Sequence, residues 1–146
     1  MSEREKTVLH VDDDPALLRI VSARLSAHGY RVISETSVER CMVRLLEEDC
    51  RVAILDIDMP GKDGLELLTD IKRLDGGIQV IMLTGLVSIN TILESMRRGA
   101  EACIFKPVTD YDQLLETLEG TFKKVDRWWG TLDELNTRKT RQTTSK

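Results

Sequence analysis

Cysteine is scarce and unpaired in this chain. Cys41, Cys50 and Cys103 are odd in number and never approach a CxxC spacing, which excludes a disulfide framework or a zinc centre as the organising element. No run of about eighteen apolar residues occurs, so no membrane-spanning helix is expected. The opening MSEREKTVLHVDDDP lacks the long apolar centre and small-residue cleavage site of a secretory signal, which makes the cytoplasm the default location. Positive charge is not in excess: 21 basic against 25 acidic residues give a net charge of −4. That balance argues against nucleic-acid binding through the whole surface. What remains is 146 residues, 41% of them apolar and 32% charged, enough for one core under a charged surface.

Short β-branched runs alternate with helical stripes five times. Thr7–Val11 stops at three aspartates and reads as a buried parallel strand. Pro15 suits the first turn of a helix that Asp13 or Asp14 can cap. Leu17, Leu18, Val21 and Leu25 share one face of that helix, which ends near Gly29. Tyr30–Ser34 forms the second strand, and Val38, Met42, Leu45 and Leu46 the second helical stripe. Arg51–Asp56 is the third strand. Turn residues at Met59–Gly64 lead to a helix opened by Leu65, Leu68 and Ile71. Strand Val80–Thr84, a helix from about Ser88 to Arg98, strand Ala102–Phe105 and a helix over roughly Tyr111–Lys124 complete the series. Such alternation calls for an α/β fold, a doubly wound parallel sheet with helices on both faces.

Ligands of open α/β sheets bind outside the carboxyl ends of the strands. Strand one delivers Asp12, Asp13 and Asp14 there, strand three Asp56 and Asp58, strand four Thr84 and strand five Lys106. Carboxylates crowded together require a counter-charge, and Mg²⁺ is the commonest hard cation for oxygen donors. Asp13 and Asp56 suit direct ligation, with Asp12 acting through water. A carboxylate beside such a cation can attack a phosphoryl donor. Lys106 and the Thr84 hydroxyl would then meet the phosphoryl oxygens. Taken singly, Asp14 reads as a helix cap, Asp63 as a turn former and Thr84 as an ordinary strand end. Their joint occurrence at successive strand ends is what marks a site.

The segments VLHVDDDP, ILDIDMPGKDG, VIMLTG and GAEACIFKPV, in this order, resemble the receiver domains of two-component response regulators over roughly residues 6–124. The resemblance implies the flavodoxin-like five-stranded sheet of order 2-1-3-4-5. It implies Asp56 as phosphoacceptor, Asp12 and Asp13 as the acidic pair holding Mg²⁺, and the Asp58 backbone carbonyl as a further ligand. Thr84 becomes the switch hydroxyl and Lys106 the phosphoryl-binding lysine. The expected phosphodonor is a sensor histidine kinase or phosphotransfer protein, with small acyl phosphates as substitutes. The expected product is a regulator that assists its own phosphorylation and dephosphorylation without being an enzyme.

Three positions depart from the family pattern. Cys103 occupies the switch position where an aromatic ring is usual, so a signal carried by a swinging ring must leave by another route or couple more weakly. Gly85 follows Thr84 and leaves room at the phosphoryl group, while Leu86 would shield it from water and lengthen its lifetime beyond seconds. Asp58 places a further carboxylate near the acceptor.

Residues 125–146 break the rhythm as a helix extension or linker. Trp128-Trp129 comes first, packed locally or forming a contact surface, and a polar, basic end follows that reads as frayed. Nothing after Lys124 is long enough for an effector domain, so the chain reads as a stand-alone receiver with an unidentified downstream protein target. Nucleic acid and membrane are not expected partners, and a homodimer is left open. A receiver-like scaffold that works without phosphorylation is one alternative, favoured only by Cys103. A haloacid-dehalogenase-like phosphatase shares the Asp56-Ile57-Asp58 pattern, but there the acid pair follows the lysine. A flavodoxin-like electron carrier lacks support because no Thr/Ser/Gly-rich loop follows strand one.

Overall fold

The computed structural model describes residues 5–85 and 88–144, with side chains given to residue 141. Five strands, β1 (Thr7–Val11), β2 (Arg31–Glu35), β3 (Val52–Leu55), β4 (Gln79–Thr84) and β5 (Ala102–Phe105), alternate with five helices. The helices are α1 (Pro15–Ser26), α2 (Cys41–Glu47, preceded by a 3₁₀ turn at Val38–Arg40), α3 (Gly64–Leu74), α4 (Ile89–Arg97) and α5 (Tyr111–Thr144). All pairings are parallel and the order is β2-β1-β3-β4-β5, as the family resemblance implies.

Every residue of β1, β3 and β4 is buried, because parallel strands between two helical layers have no solvent-facing side. Alternate side chains feed two cores. Leu9, Val11, Ala53, Leu55, Val80 and Met82 join Cys41, Leu45, Leu67, Leu68 and Ile71 on the α2–α3 side. Val8, Val52, Ile54, Ile81, Leu83 and Ile104 join Val21, Leu25, Leu114, Leu118 and Phe122 on the α1–α5 side.

The helix starts follow the capping rules. The Asp14 carboxylate accepts from the Ala16 and Leu17 amides with Pro15 in the first turn, Asp63 accepts from Glu66 N, and Ser88 accepts from Thr91 N. Asp14 is therefore the cap that a lone acidic residue suggests, and Asp63 is a cap as well.

Several details differ from the sequence reading: β2 runs one residue later, at Arg31–Glu35, and β4 begins one residue earlier, at Gln79. β3 stops at Leu55, which leaves Asp56 as the first residue beyond the strand. Leu46 is exposed, because α2 has only seven residues and buries only Cys41 and Leu45. The end that reads as frayed is helical, since α5 runs unbroken to Thr144. Of the two tryptophans, Trp129 packs on the α1–α5 core and Trp128 stays exposed.

Candidate functional site

The carboxyl ends of β1, β3, β4 and β5 converge on one acidic pocket. Asp12 follows β1 and is fully buried; its amide donates to Glu35 O at 3.1 Å, which ties the loop to the end of β2. Asp56 is 4% exposed, and its amide donates to Val11 O at 3.1 Å. One oxygen each from Asp12, Asp13 and Asp56 lies within 4.8 Å of the others, with Asp13 on the exposed side.

Lys106 bridges the two buried carboxylates. Its Nζ lies 2.6 Å from Asp12 Oδ2 and 3.2 Å from Asp56 Oδ2. It is held there by β5: the Lys106 amide donates to Thr84 O at 2.9 Å, across a ladder that pairs Thr84 with Phe105. The Lys106–Pro107 peptide is cis. Thr84 is fully buried at the end of β4. The remaining carboxylate oxygens are engaged locally, Asp12 Oδ1 by Asp14 N at 2.9 Å and Asp56 Oδ1 by Asp58 N at 3.3 Å.

Electrostatics follow from this packing. Burial pushes the Asp56 carboxyl above its ordinary value; Lys106 works against that shift and Asp12 adds to it. Burial pulls Lys106 down, but its contacts with Asp12 and Asp56 outweigh the penalty and hold its ammonium above the ordinary range. Three carboxylates against one ammonium leave the pocket net negative. An oxygen-only donor set with surplus negative charge suits a small hard dication.

Sequence reading misses two residues here. An ideal Cβ on Gly64 would sit 2.0 Å from Asp56 O, and Gly64 N donates to Ile57 O at 2.9 Å. Only glycine lets α3 begin this close to the Asp56 loop. The glycine is visible in the sequence as a turn residue, but nothing in its spacing reveals the contact. His10, inside an apolar strand, is fully buried, and neither ring nitrogen has a hydrogen-bond partner among the described residues. Burial lowers its pKa to about 4; the Asp12 charge opposes the shift and Lys106 adds to it.

Asp58 is exposed beside the pocket. Cys103 is half-buried on the α2–α3 side, in register with Met82, and burial raises its thiol pKa. A Cβ on Gly85 would meet nothing within 4 Å, while Leu86 lies outside the described residues.

Residues 8–119 match the response regulator receiver domain family. The chain belongs to that family. The transcriptional regulatory protein GlrR of Escherichia coli (strain K12) is 31% identical over 132 residues, covering 88% of this chain and 30% of that protein. A CheY-like receiver domain from Methanospirillum hungatei has a TM-score of 0.80 at 31% identity, covering 85% of this chain and 98% of its own. The beryllofluoride-activated NtrC4 receiver domain, solved as a dimer, gives 0.77 at 28% identity over 82% of this chain and 98% of its own.

The chain thus spans less than a third of the length of GlrR. This receiver domain is homologous to those of phosphorylatable response regulators, and its acidic pocket fits a phosphoacceptor switch. Receiver domains act as signalling switches and typically bind Mg²⁺ at such a pocket. Neither the scaffold reading nor the phosphatase reading is favoured by these matches. No helix among the described residues is long and apolar enough to cross a membrane.

Proposed function

We propose that Asp56 is the phosphoacceptor of this receiver, and that the gathering of Asp12, Asp13, Asp56 and Lys106 at one sheet end is what carries the reading. An Asp56 oxygen attacks the donor phosphorus as the donor's own bond to that phosphorus breaks. The leaving group, an imidazole or an acylate, departs with the bonding pair, and the product is an acyl phosphate on Asp56. Asp12, Asp13, Asp56 and the Asp58 carbonyl would hold Mg²⁺, which supplies charge neutralisation for the phosphoryl oxygens when bound. Lys106 then exchanges its carboxylate contacts for a phosphoryl oxygen, and the Thr84 hydroxyl donates to another. The same groups assist the reverse loss of the phosphoryl group to water. Cys103 is too small to act as an aromatic reporter, so the rearrangement is carried by Thr84 and Lys106 on β4 and β5.

The proposed donor is a sensor histidine kinase or phosphotransfer protein, working in the cytoplasm, and the output is a protein target. The described residues up to 124 form the receiver, and α5 from 125 to 144 is its helical extension. Pairing with a second copy is proposed on the likeness to the dimeric NtrC4 receiver. Intact mass after incubation with acetyl phosphate tests the phosphoryl reading. One adduct that needs both Mg²⁺ and Asp56, and is absent from Asp56→Asn, is expected. No adduct under conditions that label other receivers would overturn it.

A further inference from the structure

The amino ends of the strands carry a second cluster of polar groups, which the Asp56 pocket does not use. Arg51 precedes β3, Gln79 opens β4 and Glu101 precedes β5, so all three lie at the end of the sheet opposite Asp56. Arg51 and Asp56 flank the two ends of β3, roughly 16 Å apart. A cleft of about 460 Å³ opens here, bounded by the amino ends of the strands and the start of the α5 extension. That volume falls within the range of small-molecule sites.

Part of the lining is aromatic and apolar. Trp128, Trp129 and Leu132 supply it, and Trp128 is 66% exposed. Trp129 is fixed by packing on the α1–α5 core, with the Arg51 guanidinium carbon 6.0 Å from its ring centroid. The charged part is cationic. Arg51, Lys72 and Lys124 line it, and Glu101 is the one acid among the described lining residues. The turn before β4 makes room for them. An ideal Cβ on Gly77 would sit 2.5 Å from Arg51 Nη2, so any larger residue there would displace the guanidinium.

Each cation is anchored yet keeps donors to spare. Lys72 Nζ donates to Gly76 O at 2.8 Å and to Ile78 O at 2.9 Å, which leaves its third N–H for an incoming anion. Arg51 meets Asp75 at 2.7 Å, and Lys124 meets Glu101 at 3.0 Å. Both pairs are partly solvated, where an ion pair contributes little, so both cations can turn to a stronger anion. Three cations against Asp75 and Glu101 leave a surplus positive charge. Burial and the nearby Lys124 charge pull the Lys72 pKa below its ordinary value, while Glu101 and Asp75 oppose the shift. The two ammonium groups thus repel each other, and an anion held between them removes that repulsion.

We propose that this cleft binds a nucleoside diphosphate or triphosphate, with the base stacked on Trp128 and the phosphates on Lys72, Lys124 and Arg51. Lysine serves phosphate as a point charge and arginine through its planar fork. Stacking on an aromatic side chain suits any base, because every base has a π-face. A flat ring joined to several negative charges matches both parts of the cleft at once. An acidic peptide does not, since its carboxylates are spread singly along an extended chain. Binding would hold the start of the α5 extension against the body.

Isothermal titration of the full chain with ADP, without Mg²⁺, tests this away from the acidic pocket. One ADP per chain is expected, with a Kd on the order of 10–100 μM and quenched tryptophan emission. Adenosine and pyrophosphate should each bind at least about tenfold more weakly, because each meets only part of the site. Trp128→Ala and Lys124→Gln should each weaken ADP binding about tenfold. Trp128 is exposed and Lys124 only half-buried, so far-ultraviolet circular dichroism should stay that of the parent. Asp56→Asn should bind ADP as the parent does.

No ADP binding at millimolar concentration would overturn the proposal. Adenosine bound as tightly as ADP would overturn the phosphate contacts, and pyrophosphate bound as tightly would overturn the stacking. Binding unmoved by both substitutions, or lost in Asp56→Asn, would overturn the assignment to this cleft. None of these results bears on whether Asp56 is phosphorylated.

Discussion

Replacing His10 with leucine isolates one buried group's share of the pH dependence of stability. His10 is fully buried in β1 with both ring nitrogens unpartnered among the described residues, and its pKa falls from 6.5 to about 4, chiefly through burial. Below pH 6.5 the unfolded chain takes up a proton that the folded chain refuses until about pH 4. Stability is therefore complete above 6.5 and is lost as the pH falls towards 4. With those two values, the loss between about pH 7.5 and pH 4.5 is on the order of 2–3 kcal/mol.

Carboxylates titrate over the same range. Asp75, lowered by its bond to Arg51, adds to the acid loss, whereas Asp56, raised by burial, opposes it. Both are present in the parent and the variant, so the difference between them isolates His10. Urea unfolding of the two proteins at both pH values is the assay. His10→Leu should equal or exceed the parent at about pH 7.5, by up to roughly 2 kcal/mol, because an apolar side chain replaces unpartnered polar atoms. At the lower pH its advantage should grow by about 2–3 kcal/mol. An advantage that does not change with pH would refute the reasoning.

Gly64→Ala should cost about 1–3 kcal/mol or more, since its Cβ would press on the Asp56 carbonyl; thermal unfolding measures the loss, and slower labelling by acetyl phosphate should accompany it. Asp14→Ala removes the acceptor for Ala16 N and Leu17 N and should cost about 1 kcal/mol, read by urea unfolding. Lys106→Met leaves Asp12 and Asp56 facing each other without their ammonium. Added Mg²⁺ should then raise the melting temperature more than it does in the parent, and an equal rise would contradict the charge balance drawn for the pocket. Arg51→Met removes the Asp75 ion pair and the contact over Trp129; tryptophan emission should shift while stability changes by about 1 kcal/mol or less.

Much of this site was legible in the sequence because parallel strands buried on both faces read as unbroken apolar runs, and each run ended in a polar residue. TVLHV led to Asp12, VAIL to Asp56, QVIMLT ended in Thr84, and ACIF led to Lys106. Strand order entered only through the family resemblance, since local pattern does not say which strands are neighbours.

Other features depended on tertiary approach. Gly64 looked like one more turn glycine until α3 was set against the Asp56 carbonyl. His10 passed as part of the apolar run of β1, with nothing in the sequence to show how its ring is surrounded. Leu46 fitted the helical stripe of α2 but lay past the point where the short helix leaves the core. The basic end read as frayed because its composition is polar; its continuation as α5 reflects the intact helical row from Val125 to Leu135.

The most direct test of the account is the chemical identity of the phosphorylated residue. After labelling with acetyl phosphate and Mg²⁺, borohydride reduces an aspartyl phosphate to homoserine, and peptide mass mapping locates it. The expected result is homoserine at position 56 alone, lost when Mg²⁺ is withheld. A phosphoryl group that survives reduction, or homoserine at Asp12, Asp13 or Asp58, would contradict the assignment of Asp56.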